Sequence, residues 1–345
     1  MDKRKLFFRS IVAIVVIGAL YRYFSSQPAE RLTHISGKTM GTITYNVKYI
    51  DKTEPVSKSK IDSVLRAFNQ SLSTYIPDSE ISILNQSGEL NSPSRLFTDV
   101  MQESYRVYEM TSGAYDPTVG TLVNVWGFGP DKSRLVPDST LVDSLRQFVG
   151  LQKIVLEKEA INMDTLMYLD FSAIAKGYAV DLVSELLLEH GVNSYMVEIG
   201  GEVRTHGVND QGKTWTIGIE DPLVEREEQR LLGIVRLNNM AMATSGNYRS
   251  YYEVGDRIIA HTIDPRTGYN TTHNLLSASV FSNGCMTADA MATAFMVLGL
   301  EGSMRIVEST EVEAFLIFQK EDGSLASYVS DGLKPYIDLD KTQNQ

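Results

Sequence analysis

From Tyr195 to position 244 the sequence presents one strand-like segment after another with only turns between them, and no other feature constrains the fold as much. Tyr195–Ile199, Glu202–His206, Trp215–Glu220, Leu231–Leu237 and residues 240–244 each carry the alternation or the β-branched and aromatic content of a strand. Residues 277–281 read as another. Strands gathered in a block, with helices interspersed around them, favour an α+β fold over a regular βαβ alternation. On the helical side, residues 175–190 place Val180, Val183, Leu186 and Leu187 on one face and stop at Gly191. Residues 287–298 form a second apolar helix. Ile61, Val64, Leu65, Phe68 and Leu72 recur at helical spacing, and residues 78–84, 96–110 and 142–148 read as further helical pieces. Strands are expected at 42–50, 153–162 and 167–171. Residues 315–318 and Leu325–Val329 should close a hairpin around Asp322-Gly323.

Composition sets the outer limits. With 345 residues, 43% hydrophobic and 22% charged, the chain can bury a sizeable core, either as one large body or as two lobes. A net charge of −11 with no basic stripe excludes a general nucleic-acid binder. The single cysteine, Cys285, reads as a core residue. One thiol builds neither a disulfide framework nor a cysteine metal site, so any metal must be held by oxygen or imidazole.

At the N-terminus Lys3, Arg4, Lys5 and Arg9 precede the apolar run from Ile11 to Tyr21, which Arg22, Ser25, Ser26, Gln27 and Pro28 follow. A basic stretch and then an apolar one is an export pattern. The strict run is short for a span of about 20 residues, but Leu6 to Phe24 approaches that length if Arg9 and Arg22 snorkel. No small-x-small cleavage site is evident. The expectation is an uncleaved anchor over residues 1–31, a polar linker at 27–36, and one body over 32–345. The basic end would stay in the cytoplasm and the body would lie outside the inner membrane.

Four constellations could carry chemistry. Asp289 and Thr293 lie one helical turn apart, so both face one side. Carboxylate plus hydroxyl is hard-oxygen chemistry suited to Mg²⁺, which completes its shell with water and substrate phosphate. Asp289 could equally answer the helix dipole while Thr293 packs. In Asp170-Phe171-Ser172-Ala173-Ile174-Ala175-Lys176-Gly177 a strand feeds a helix whose N–H groups and Lys176 could meet an anion; alternatively Asp170 and Ser172 cap the helix and Lys176 is solvated. Glu198-Ile199-Gly200-Gly201-Glu202 fits an ordinary hairpin or a backbone bed for a phosphate. His261 and Asp264, just before an Asp-Pro-Arg-Thr-Gly turn, could do acid–base work, although one of five histidines is as readily structural.

Taken together and in this order, these stretches resemble the ApbE family of FAD:protein FMN transferases. The likeness extends from Ile35 to about Val329. It includes Met40-Gly41-Thr42, Ser73-Thr74-Tyr75, Gly113-Ala114-Tyr115-Asp116-Pro117-Thr118, Val125-Trp126-Gly127-Phe128-Gly129, the 170–177 block, Gly200-Gly201-Glu202, residues 243–248, residues 261–268, and Asp289 with Thr293. The resemblance implies a layered α+β fold of mainly antiparallel sheets packed with helices, of the T-fold kind. It implies Mg²⁺ on Asp289, Thr293 and the Ala173 carbonyl. Met40, Tyr75, Ala114, Tyr115, Asp116, Asp170, Lys176 and Ile263 match positions that bind FAD, and His261 a position important for transfer. The implied reaction moves FMN from FAD to a threonine or serine hydroxyl of an acceptor protein, leaving a phosphoester and AMP. The family's acceptors are flavin-carrying subunits of membrane redox complexes. In the physical reading Tyr75 and Tyr115 cover a ring by stacking, and the metal neutralises the bridging phosphate. FAD hydrolysis to FMN and AMP, and non-catalytic flavin binding, stand as alternatives.

Overall fold

The computed structural model describes residues 31–51, 56–129, 136–222, 230–246, 251–254 and 257–339. The expected anchor, apart from Arg31, lies outside them. In chain order the elements are β1 (Arg31–Thr39), β2 (Ile43–Asp51), α1 (Lys58–Leu72), α2 (Glu80–Ser87), β3 (Glu89–Asn91), α3 (Arg95–Met110), α4 (Gly120–Val125) and α5 (Ser139–Arg146). There follow β4 (Val155–Leu156), β5 (Ala160–Asn162), α6 (Ala175–Glu189), β6 (Tyr195–Ile199), β7 (Glu202–His206), β8 (Trp215–Glu220), β9 (Leu231–Leu237) and β10 (Ala241–Gly246). The chain continues through β11 (Tyr251–Val254), β12 (Arg257–Ala260), β13 (Leu275–Ser282), α7 (Cys285–Ser309), β14 (Glu313–Gln319), β15 (Leu325–Val329) and β16 (Ile337–Leu339).

One sheet of eight strands, in the order β1-β2-β6-β7-β10-β13-β14-β15 and antiparallel at every junction, forms the centre. The period of two sorts its side chains into two cores. Tyr195, Val197, Ala241, Ala243, Ala278, Val280, Ala314 and Leu316 face a large core shared with the helices. Val203, Met242, Phe281, Phe315 and Ile317 face the opposite way, onto Ile219, Val235, Leu237 and Ile337 of the small sheet β16-β9-β8. The result is three layers: helices, large sheet, small sheet. α+β with mainly antiparallel sheets is therefore the architecture. Burial of α7 is consistent with this: long and apolar enough to cross a membrane, it instead packs as a core helix, with Ala288, Ala290, Met291, Ala292, Ala294 and Phe295 fully buried.

The segments differ from the sequence reading in a few places. The polar linker gives way at Arg31 to β1, an edge strand whose alternate residues are exposed, so its sequence looks like linker. Residues 167–171 do not form a strand. Met167, Leu169 and Phe171 alternate into the core, but the segment makes one parallel bridge, Tyr168 to Val119, and no ladder. Residues 153–162 split into a 3₁₀ turn and the hairpin β4–β5. The second apolar helix runs on to Ser309 through a kink at Gly299, whose φ of 70° no neighbouring residue shares. Gly200 and Gly201, both at positive φ (61° and 104°), make the two-residue turn between β6 and β7.

Candidate functional site

The site is built where the start of α6 meets α7. Gly177 is small because nothing larger fits: a Cβ there would lie 2.2 Å from the Cys285 carbonyl oxygen and 2.8 Å from Asp289 Cβ. This closeness lets the Gly177 N–H, one of the amides a helix start leaves unpaired, donate to Asp289 Oδ2 at 2.9 Å. Asp181, one turn further along α6, answers for α7: it accepts from the Cys285 N–H at 3.0 Å and the Met286 N–H at 2.8 Å, and pairs with Arg204 at 2.7 Å. The two helices are thus locked at both ends of the contact. Asp289 is 3% exposed. Thr293 on the same face of α7 stands with its hydroxyl 3.3 Å from that of Ser245 on β10.

A cleft of about 630 Å³ opens over this junction. Lys176, Asp289 and Thr293 line it from the helices, Ser245 and Gly246 from β10, and Tyr75, Ala114, Tyr115, Asp116, Asp170, Ala173, His261 and Ile263 from loops. Of the positions the family resemblance assigns to FAD, metal or transfer, only Met40 is missing from its lining; it sits in the β1–β2 turn at a φ of 45°, and Gly200, Gly201 and Asp264 also lie outside the lining. Left-handed Ser112 and Gly113 turn the chain sharply after α3 and aim Ala114-Tyr115-Asp116 into the cleft. Asp116 accepts from the Thr118 N–H and hydroxyl (2.9 and 2.6 Å) and from the Leu151 N–H (3.2 Å). Asp170 accepts from the Ser172 N–H at 2.8 Å, and its own N–H reaches Pro117 O. The two tyrosines part company. Tyr75 is 81% exposed at the mouth, an open ring, whereas Tyr115 is buried with its hydroxyl on Ser104, a floor rather than a stacking face.

His261 stands edge-on to Phe128, centroids 6.2 Å apart. The expected aspartate partner is engaged elsewhere: the Asp264 carboxylate accepts from Arg266 N–H, Nε and Nη2 at 2.8–2.9 Å, closing its own turn. Lys176 is 28% exposed on its side chain but is paired rather than left to solvent. Its ammonium lies 2.5 Å from Glu202 Oε1, a partner the sequence pattern left without a role. Only the fold could reveal that pair, because it joins α6 to the first residue of β7.

Burial dominates the electrostatics. Asp116, Asp170 and Asp289 are all pushed above the usual carboxylate range by desolvation, which hydrogen bonds and, for Asp289, the Lys176 charge only partly offset. Glu202 rises to about 8, through burial first and the Asp289 charge second. Lys176 is raised as well: burial opposes its charge, and Asp289 and Glu202 outweigh that. A carboxylate raised on folding adds stability below its unfolded value that is lost as pH climbs through the folded one. The metal-free protein should therefore melt higher at about pH 6 than at about pH 8, with a divalent cation recovering the loss at the higher pH. Thermal melts in EDTA and in Mg²⁺ at both pH values check this; a metal-free melting point that rises with pH would refute it.

The donor set suits a hard cation. A buried carboxylate, a hydroxyl and a backbone carbonyl are all oxygens, and among the described residues no cluster of three or more His, Cys, Asp or Glu offers another cage. Mg²⁺ asks for this: one or two protein carboxylates, with phosphate oxygens and water as the rest. Fold and cleft together define a class, an α+β protein whose acidic, lysine-bearing cleft lies between two helix termini and the central sheet. Residues 40–316 match the ApbE family. A FAD:protein FMN transferase of Haemophilus influenzae is 38% identical over 327 residues, 91% of this chain and 94% of its own. The one from Vibrio cholerae is 39% identical over 319 residues, covering 90% and 94%. Among solved structures, the flavin transferase ApbE from Vibrio cholerae superposes with a TM-score of 0.80 at 38% identity, over 89% of this chain and all of that one. The apo flavinyl transferase ApbE of Pseudomonas stutzeri also gives 0.80, at 30% identity over 89% and 97%. The chain belongs to the ApbE family.

Proposed function

We propose that this chain is an FAD:protein FMN transferase that moves FMN from FAD onto a threonine or serine hydroxyl of an acceptor protein. The observation that carries this reading is the gathering of Asp289, Thr293, Lys176 and the open ring of Tyr75 in one cleft of an ApbE-family fold. FAD offers a diphosphate between two aromatic ends. Lys176 and the amides at the start of α6 favour the anionic centre. Tyr75 covers a ring. Asp289, Thr293 and the Ala173 carbonyl would hold Mg²⁺, which when bound supplies charge neutralisation at the diphosphate. The acceptor oxygen forms its bond to the FMN phosphorus as the bond to the AMP oxygen breaks. The hydroxyl proton is lost, and AMP departs. Such transfer needs positioning and charge more than a covalent enzyme intermediate, so the residues present suffice.

His261, which lines the cleft, is our candidate for taking the hydroxyl proton. Its replacement by asparagine should slow single-turnover transfer by roughly 10²-fold or more while FAD binding holds, the scale of general-base catalysis. A parallel loss of FAD affinity would return His261 to a binding or structural role. The N-terminal pattern supports anchoring in the inner membrane with the body outside, facing flavin-carrying subunits of membrane redox complexes. Chromatographic analysis of a reaction with FAD, Mg²⁺ and a candidate acceptor separates the readings. AMP with flavin on the acceptor is the expected outcome; free FMN with AMP would mark a pyrophosphatase, and intact FAD a binding module.

A further inference from the structure

Lys176 and Asp289 line the same desolvated cleft, and the N–H of the next residue, Gly177, already grips Asp289. Opposite charges so placed ordinarily close into an ion pair, and an incoming cation would then have to displace an ammonium to reach the carboxylate. The structure avoids that outcome. The Lys176 ammonium is drawn to Glu202 instead, 2.5 Å from Oε1, and Glu202 is 2% exposed on its side chain. Its Oε2 has no hydrogen-bond partner among the described residues, so the lysine is the strong partner of a buried carboxylate. The β6–β7 turn fixes the pair from behind. A Cβ on Gly200 would lie 3.4 Å from Lys176 Cδ and 3.8 Å from Glu202 Oε2.

We infer that Glu202 is a positioning residue for the cation site: by holding the Lys176 ammonium it keeps that charge off Asp289 and leaves Asp289 open to a divalent metal. This rests on the reading of Asp289 and Thr293 as cation ligands. Glu202 is not part of the cleft lining; it acts through Lys176. With Glu202 neutralised by substitution, Asp289 becomes the dominant charge facing the lysine, since it is the other carboxylate that acts on the Lys176 ammonium.

The test is Mn²⁺ binding to the whole, FAD-free protein at about pH 8.5, where Glu202 carries its charge, followed by electron paramagnetic resonance. Glu202→Gln should weaken Mn²⁺ on the order of tenfold, the scale of one charge-assisted hydrogen bond redirected. Adding Lys176→Met to Glu202→Gln should restore binding to within about twofold of wild type, because the competing ammonium is gone. Lys176→Met alone should bind Mn²⁺ at least as well as wild type. If Glu202→Gln does not fold, Glu202→Asp, a methylene shorter, should show the same weakening and the same rescue. Unchanged binding in the Glu202 variant, or weakening that the Lys176 change does not rescue, overturns the inference. A wild-type protein that binds no Mn²⁺ would instead overturn the cation-site reading beneath it.

Discussion

Gly177→Ala should cost the protein both stability and activity, out of proportion to a single added methyl group. The new Cβ would stand 2.2 Å from the Cys285 carbonyl oxygen and 2.6 Å from its carbon, and backbone cannot swing aside as a side chain can. The start of α6 must move away from α7. Overpacking of a buried contact costs about 1–3 kcal/mol, and a chain of this size loses roughly 1–2 °C of melting temperature for each of those. The same movement breaks the 2.9 Å bond from the Gly177 N–H to Asp289 and shifts Lys176 relative to Thr293. A misplacement of about 1 Å at a reacting centre can lower rate by on the order of 10²-fold. Gly284→Ala is the control. At the N-cap of α7 its Cβ would meet nothing closer than 3.5 Å, so only the capping preference is lost, about 0.5–1 kcal/mol. Equal effects of the two substitutions in melting and turnover assays would show that the close approach of the helices has no special role.

Asp289→Ala should abolish transfer and leave the fold intact. Several kcal/mol of charge stabilisation at the diphosphate is at stake, and about 1.4 kcal/mol is a factor of ten, so a loss on the order of a thousandfold is expected. Burial already holds the Asp289 carboxyl above its usual range, so removing it relieves a desolvated charge. In EDTA the variant should melt close to wild type, because relief of the desolvated charge offsets the bond lost from the Gly177 N–H, and Mg²⁺ should no longer raise its melting point. Wild-type activity at limiting Mg²⁺ would show that the metal lies elsewhere.

What the sequence made legible was local. The α6 face of Val180, Val183 and Leu187 and its stop at Gly191, where the N–H groups of Gly191 and Val192 fold back onto Leu188 and Leu187, follow from periodicity and a left-handed glycine. Asp289 and Thr293 share a face because helices repeat at that spacing. What it hid depended on distant chain. Glu202 reaches Lys176 only because β7 lies against the start of α6, and Asp181 caps α7 across more than a hundred residues. β1 escaped notice because an edge strand exposed on alternate residues carries no strong apolar pattern. Residues 167–171 misled for the opposite reason: alternation reports a half-buried extended chain, whether or not a neighbour pairs with it. Tyr115 and Tyr75 are chemically alike in sequence, and only packing separates a core ring bonded to Ser104 from an open one.

The central claim is group transfer from FAD to a protein hydroxyl, and intact-mass measurement of the acceptor tests it most directly. A flavin-carrying subunit of a membrane redox complex, incubated with this protein, FAD and Mg²⁺, should gain the mass of one FMN group less water at one threonine or serine, with one AMP released per group. Replacement of that residue by alanine should prevent the gain. An acceptor of unchanged mass beside FMN and AMP in solution would contradict the account, as water rather than protein would then be the nucleophile.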